Sequence, residues 1–187
     1  MKPRDIPNII TILRILLVIP IMVLLIRQEY LTVLAFFAIA GLSDGVDGFL
    51  ARRYNWRSEL GAILDPLADK FLLVGVYLML GVGGLIPFWL VVLVILRDVI
   101  IIGGALAYGR RCDDLVMEPS VISKINTLLQ IVLGLGVIVG AAGLALPLWV
   151  FGGLITAVAV TTVWSGTDYV WRWGRRARDC QARSRTG

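Results

Sequence analysis

Four aspartates are the residues of this sequence most suited to chemistry. Asp44 and Asp47 stand three residues apart, Asp65 and Asp69 four apart, in segments that are otherwise mostly apolar. Such spacings put each pair on one face of a helix. Asp44, Asp47, Gly48 and Ala51 follow an i, i+3, i+4, i+7 pattern, and Gly61, Asp65 and Asp69 share a second face. The small residues let a backbone or a flat ligand approach closely. Ionised carboxylates gathered at low dielectric repel one another and require cations. All-oxygen ligation suits a hard divalent ion, Mg²⁺ or Mn²⁺, and four carboxylates can hold two. The chain has no histidine, which removes imidazole bases, Ser-His triads and nearly all zinc sites. The plainer reading is that these aspartates pair with Arg14, Arg52, Lys70 or Arg97, or are protonated. It would suffice for one aspartate, but four at two helical spacings favour a site.

The elements that must position them are membrane helices. Of the 187 residues 58% are hydrophobic and 17% charged, and the mean hydropathy is +0.86. Phe71 to Leu96 and Ile125 to Thr167 carry no charge. Each run exceeds the ~20 residues that span a bilayer, so each is expected to be a helix pair with a tight turn. Gly81, Gly83, Gly84 and Pro87 mark the first turn, and Gly140, Gly143 and Pro147 the second. The expected fold is all-α, one polytopic membrane domain over residues 1–187, with a basic tail from about residue 171. Its six transmembrane helices are Ile9–Ile26, Leu31–Ala51, Leu60–Leu80, Leu85–Tyr108, Val121–Ala142 and Leu148–Thr167. All four aspartates then lie roughly 7 to 14 Å inside one end of the second and third helices.

Basic residues alternate between connections: Lys2 and Arg4; Arg27 alone; Arg52, Arg53 and Arg57; none; Arg110 and Arg111; none; and the tail from Arg172 to Arg185. By the positive-inside rule both termini and the aspartates face the cytoplasm. The tail interleaves Trp171 and Trp173 with arginines, as suits an anionic headgroup surface. Nucleic acid is not expected as a partner, because the basic run abuts a membrane helix. Neither a removable signal peptide nor a transit peptide is expected at the N-terminus. Cys112 and Cys180 have no metal-type spacing.

The stretch DGVDGFLARRYNWRSELGAILDPLAD, Asp44 to Asp69, resembles the signature of the CDP-alcohol phosphatidyltransferase family, D-x2-D-G-x2-A-R-x8-G-x3-D-x3-D, without a gap. The matching positions are Asp44, Asp47, Gly48, Ala51, Arg52, Gly61, Asp65 and Asp69. The resemblance implies that Asp44, Asp47 and Asp65 are metal ligands, and that Asp69 is near the metals and is the general base. It further implies that Gly48, Ala51, Arg52 and Gly61 line the pocket for CDP-diacylglycerol. An acceptor hydroxyl would attack the lipid-side phosphorus, and CMP would leave.

Members of the family differ in the acceptor. IPNIITILRILLVIP resembles the start of two bacterial branches, one using phosphatidylglycerol and the other glycerol 3-phosphate. LRDVIII, the S-K-x-N-T-x2-Q opening at Ser123 to Gln130, and TTVWSGTDYVWRWGRRA resemble the first, the cardiolipin synthase branch. Arg97, Lys124, Asn126 and Thr127 are therefore candidate acceptor contacts, beside the plainer readings of a bracing charge pair and a snorkelling lysine. Arg14 is divided between pairing with an aspartate and meeting a lipid phosphate. Gly134, Gly136 and Gly140 suit close packing, within the chain or in a homodimer. A bacterial cytoplasmic membrane is the expected location. A non-enzymatic cation carrier built on the aspartates is a third reading, which leaves the spacing through Ala51, Arg52 and Gly61 unexplained.

Overall fold

The structure, a computed structural model, describes residues 6–53, 59–109, 121–144 and 147–183, with side chains for 12–42, 68–104, 121–144 and 147–171. Its regular structure is helical throughout: α1 (Ile6–Ile26), α2 (Tyr30–Arg53), α3 (Glu59–Val82), α4 (Phe88–Gly109), α5 (Val121–Ala141) and α6 (Leu148–Arg183). No strand occurs among the described residues. Among the described residues six helices follow one another in the expected order. Two helices among the described residues, Val121–Ala141 and Leu148–Trp171, are long and apolar enough to cross a membrane. α1 and α2 contain the shorter apolar stretches Ile12–Ile26 and Tyr30–Leu42.

α6 departs furthest from the expected bounds, running on past Thr167 to Arg183. The physical reason is local. Beyond Thr167 the sequence has no proline, and Arg, Ala and Gln favour helix whatever the surrounding polarity, so hydropathy changes there while helix persists.

Three turns use one device. At the end of α1, Gln28 adopts φ +60°; its N–H donates to Leu25 O at 3.1 Å and the Glu29 N–H to Leu24 O at 3.0 Å. At the end of α3, Gly84 has φ +70°, with Gly84 N–H on Gly81 O and Leu85 N–H on Leu80 O. At the end of α5, Gly143 has φ +98°, with Gly143 N–H on Gly140 O and Leu144 N–H on Val139 O. Each is a Schellman closure, which satisfies carbonyls that the last helical turn leaves open. Pro87 and Pro147 then sit just before α4 and α6, where a missing N–H does no harm.

The chain divides into two compact units, Met1–Ile86 with Gly134–Leu146, and Pro87–Leu133 with Pro147–Gly187. In the first, α1 packs against α2 and α3. The buried stripe of α1 is Arg14, Val18, Ile21 and Leu25, while Leu13, Leu16, Ile19, Val23 and Ile26 are exposed. Gly75 of α3 permits this packing: a Cβ there would stand 3.3 Å from Val18 Cγ1 and 3.4 Å from Met22 Sδ. Gly134 lies against Tyr77, whose Cε2 would be 3.8 Å from a Cβ at that position.

In the second unit α4 packs against α6. Its buried stripes are Leu90, Val94 and Arg97 of α4, Asn126, Gln130 and Leu133 of α5, and Val158, Thr162 and Ser165 of α6. Arginine, amides and hydroxyls are thus buried while leucines, isoleucines and valines cover the outside. Water selects the reverse arrangement. In α1, α4, α5 and α6 the buried stripe becomes polar at one end, the N-terminal end of α1 and α5 and the C-terminal side of α4 and α6.

Candidate functional site

The backbone places Asp44 and Asp47 in the last three turns of α2, and Asp65 and Asp69 in the first three turns of α3. The four candidate ligand positions therefore lie toward the two helix ends that residues 54–58 connect. The side chains of Asp44, Asp47, Gly48, Ala51, Arg52, Gly61 and Asp65 lie outside the described residues. Among the described residues no three metal-ligating side chains come together, since Asp69 is the single aspartate of the four that they include.

Asp69 has a defined setting. Arg14 Nη1 donates to its Oδ1 at 2.7 Å, from α1 to α3. The pair is asymmetric, with the Arg14 side chain 1% exposed and that of Asp69 57%. Arg14 lies in the register of Val18, Ile21 and Leu25, so packing of α1 delivers the guanidinium to α3. Of the two pairings open to Arg14, the structure contains the one with an aspartate. A half-open carboxylate held from behind fits the edge of a hard-cation site. The donor set offered by α2 and α3, all carboxylate oxygen, fits the same class of ion.

The second unit contains the other candidates. Arg97 is 4% exposed and bridges three helices. It donates to Asp98 Oδ1 at 2.6 Å, to Ser123 Oγ of α5 at 2.5 Å and to Ser165 Oγ of α6 at 2.6 Å. Asn126 is fully buried, and the hydroxyls of Thr161 and Thr162 donate to its Oδ1 at 2.8 and 2.9 Å. Thr127 Oγ1 donates to Ser123 O at 3.1 Å. Lys124 is exposed. Arg97 and Asn126 thus belong to one polar seam. Two buried donors in it, Arg97 Nε and Asn126 Nδ2, have no hydrogen-bond partner among the described residues.

Ser123, Thr161, Thr162 and Ser165 lie in the two segments that carry the branch resemblance, but sequence reasoning gave none of them a role. Their signal is the i, i+4 spacing of Thr161 and Ser165 and the three-residue spacing of Ser123 and Asn126, which sets hydroxyls and amide on facing stripes. Beside the seam a groove of about 470 Å³ runs between α4 and α6. Leu93, Leu96 and Ile100 form one wall, and Val163, Gly166 and Val170 the other.

Residues 4–165 match the family model described as CDP-alcohol phosphatidyltransferase. The cardiolipin synthase (CMP-forming) of Homo sapiens is 35% identical over 94% of this chain and 63% of its own length. A probable cardiolipin synthase (CMP-forming) of Drosophila melanogaster is 30% identical over 88% of this chain and 56% of its own. A probable phosphatidylglycerophosphate synthase of Mycobacterium tuberculosis is 34% identical over 90% of this chain and 81% of its own. The chain thus spans less than two thirds of the human and fly relatives.

Proposed function

The chain belongs to the CDP-alcohol phosphatidyltransferase family, and from that premise we propose that it transfers a phosphatidyl group from CDP-diacylglycerol to phosphatidylglycerol, giving cardiolipin and CMP. The observation that carries the proposal is the ungapped motif from Asp44 to Asp69, set into the joined ends of α2 and α3. The family match crosses both compact units, which supports treating them as one enzyme domain.

Asp44, Asp47, Asp65 and Asp69 would hold Mg²⁺ or Mn²⁺, two ions in our reading, and Gly48, Ala51, Arg52 and Gly61 the CDP-lipid. Bound metal would supply charge neutralisation at the pyrophosphate and lower the effective pKa of an adjacent alcohol. The acceptor hydroxyl gives its proton to Asp69 while its oxygen bonds to the lipid-side phosphorus. The bond from that phosphorus to the bridging oxygen breaks, and CMP departs with the electron pair.

For the acceptor, support comes from the relatives named cardiolipin synthase and from the Ser123 to Gln130 opening of α5. Arg97, Lys124, Asn126 and Thr127 are proposed to face the acceptor headgroup, and the spare donors Arg97 Nε and Asn126 Nδ2 support this. The second reading, phosphatidylglycerophosphate synthase with glycerol 3-phosphate as acceptor, is favoured by the mycobacterial relative, of which the chain covers 81%.

We place the enzyme in a bacterial cytoplasmic membrane with six spans and both termini inside. Apolar side chains outside and polar ones within support the membrane, and the alternating basic connections support the orientation. The test supplies purified protein with Mg²⁺, CDP-diacylglycerol and either acceptor, and identifies the lipid by mass. Cardiolipin with CMP is expected. Product from glycerol 3-phosphate alone would overturn the choice of acceptor.

A further inference from the structure

Burying an arginine is expensive, and in a membrane helix its place usually has a function. Arg14 is 1% exposed and continues the buried stripe of α1 toward its N-terminus. Its Nη1 lies 2.7 Å from Asp69 Oδ1, while the Asp69 side chain is 57% exposed. The cation is walled in by packing, and the anion lies at the open edge. A guanidinium in that position offers no surface for a lipid phosphate to meet. What it can do is fix the rotamer of the carboxylate it touches, through a charge-assisted hydrogen bond of short length.

We infer that Arg14 is a positioning residue: it holds Oδ1 of Asp69 from behind and thereby aims the carboxylate outward, toward the acceptor hydroxyl. This rests on the proposed phosphatidyl transfer and adds a residue to it. A planar guanidinium anchored on α1 restricts the carboxylate of α3 to a narrow range of orientations, and a proton acceptor works only within hydrogen-bond reach. Small misplacements of reacting groups lower rates by on the order of a hundredfold. The residue therefore acts on turnover and leaves affinity for the acceptor alone.

The test uses the full chain in mixed micelles, with wild type, Arg14→Gln and Arg14→Lys compared for CMP release on whichever acceptor the wild type uses. Arg14→Gln is expected to lower kcat by roughly 30- to 100-fold with the acceptor KM within about twofold. Arg14→Lys, which keeps a charged donor, is expected to recover a part of that loss. A raised acceptor KM at unchanged kcat would show that Arg14 binds substrate and would overturn the inference. So would equal inactivity of both variants together with matching losses of melting temperature, the result of a merely structural role.

Melting temperatures of Arg14→Gln, Asp69→Asn and the double variant give a reading that needs no turnover. An anchored pair predicts that the double variant melts no lower than Arg14→Gln alone, and additive losses would count against it. A wild type that releases no CMP on either acceptor refutes the transfer reaction, and the melting comparison then decides the anchoring by itself.

Discussion

Arg97 of α4 donates to Ser165 Oγ of α6 at 2.6 Å, across 68 positions of sequence. The same guanidinium reaches Ser123 of α5 and its neighbour Asp98, so one side chain ties three helices of the second unit. Removing it would deprive Asp98, which is 5% exposed, of a cation 2.6 Å away. Arg97→Met is expected to destabilise the protein by about 3 kcal/mol, the usual result of breaking a buried ion pair by removing one partner. Arg97→Met with Asp98→Leu should be less damaging than Arg97→Met alone. Thermal unfolding in detergent checks the order, and a double variant worse than the single would exclude this account.

Asp69→Asn is expected to lower turnover by about 10²- to 10⁴-fold, the range lost with a general base, while much of the metal affinity survives. Asp44→Asn is expected to damage both. CMP release and Mn²⁺ binding measured on the same preparations separate the two. Wild-type turnover in Asp69→Asn would exclude it as the base.

Gln28 adopts the left-handed conformation that Gly84 and Gly143 adopt without strain. Gln28→Gly should therefore stabilise by about 0.5 to 1 kcal/mol, whereas Gly84→Ala should destabilise by a similar amount. Melting temperatures displaced in opposite directions are the expected outcome. Two downward shifts would mean that the Gln28 side chain contributes more than its backbone conformation costs.

A methyl group at Gly75 would stand 3.3 Å from Val18 Cγ1, so Val18 must give by a few tenths of an ångström, while Met22 Sδ at 3.4 Å is in ordinary contact. That overlap is small but Val18 is stiff at χ1, so Gly75→Ala should cost about 1 kcal/mol, while Gly75→Leu overpacks the contact between α1 and α3 and should cost about 1 to 3 kcal/mol. Loss of activity in Gly75→Leu should track loss of fold, measured by gel filtration.

Much of this architecture was legible because charge and hydropathy are carried by single residues. The uncharged runs, interrupted by Gly83, Gly84 and Pro87 or by Gly143 and Pro147, give the bounds of α3 through α6 to within a few residues at all but one end. That end is the C-terminus of α6, where helix propensity outlasts apolarity. The aspartate positions were legible from spacing alone. The partners of Arg97 were not, because a serine in an apolar run carries little hydropathy signal, and which hydroxyl meets which guanidinium depends on helix packing. Gln28 escaped notice for a related reason, since the hydrogen bonds at its turn impose a backbone conformation that its residue type does not advertise.

α6 is one continuous helix of 36 residues, about 54 Å at 1.5 Å per residue, against a hydrocarbon layer of about 30 Å. No hinge separates Thr162 and Ser165 from the basic turns beyond Trp171. A helix of that kind transmits torque. Any tilt imposed on its basic turns is therefore shared by the stretch that carries Thr162 and Ser165, the two hydroxyls that meet Asn126 and Arg97.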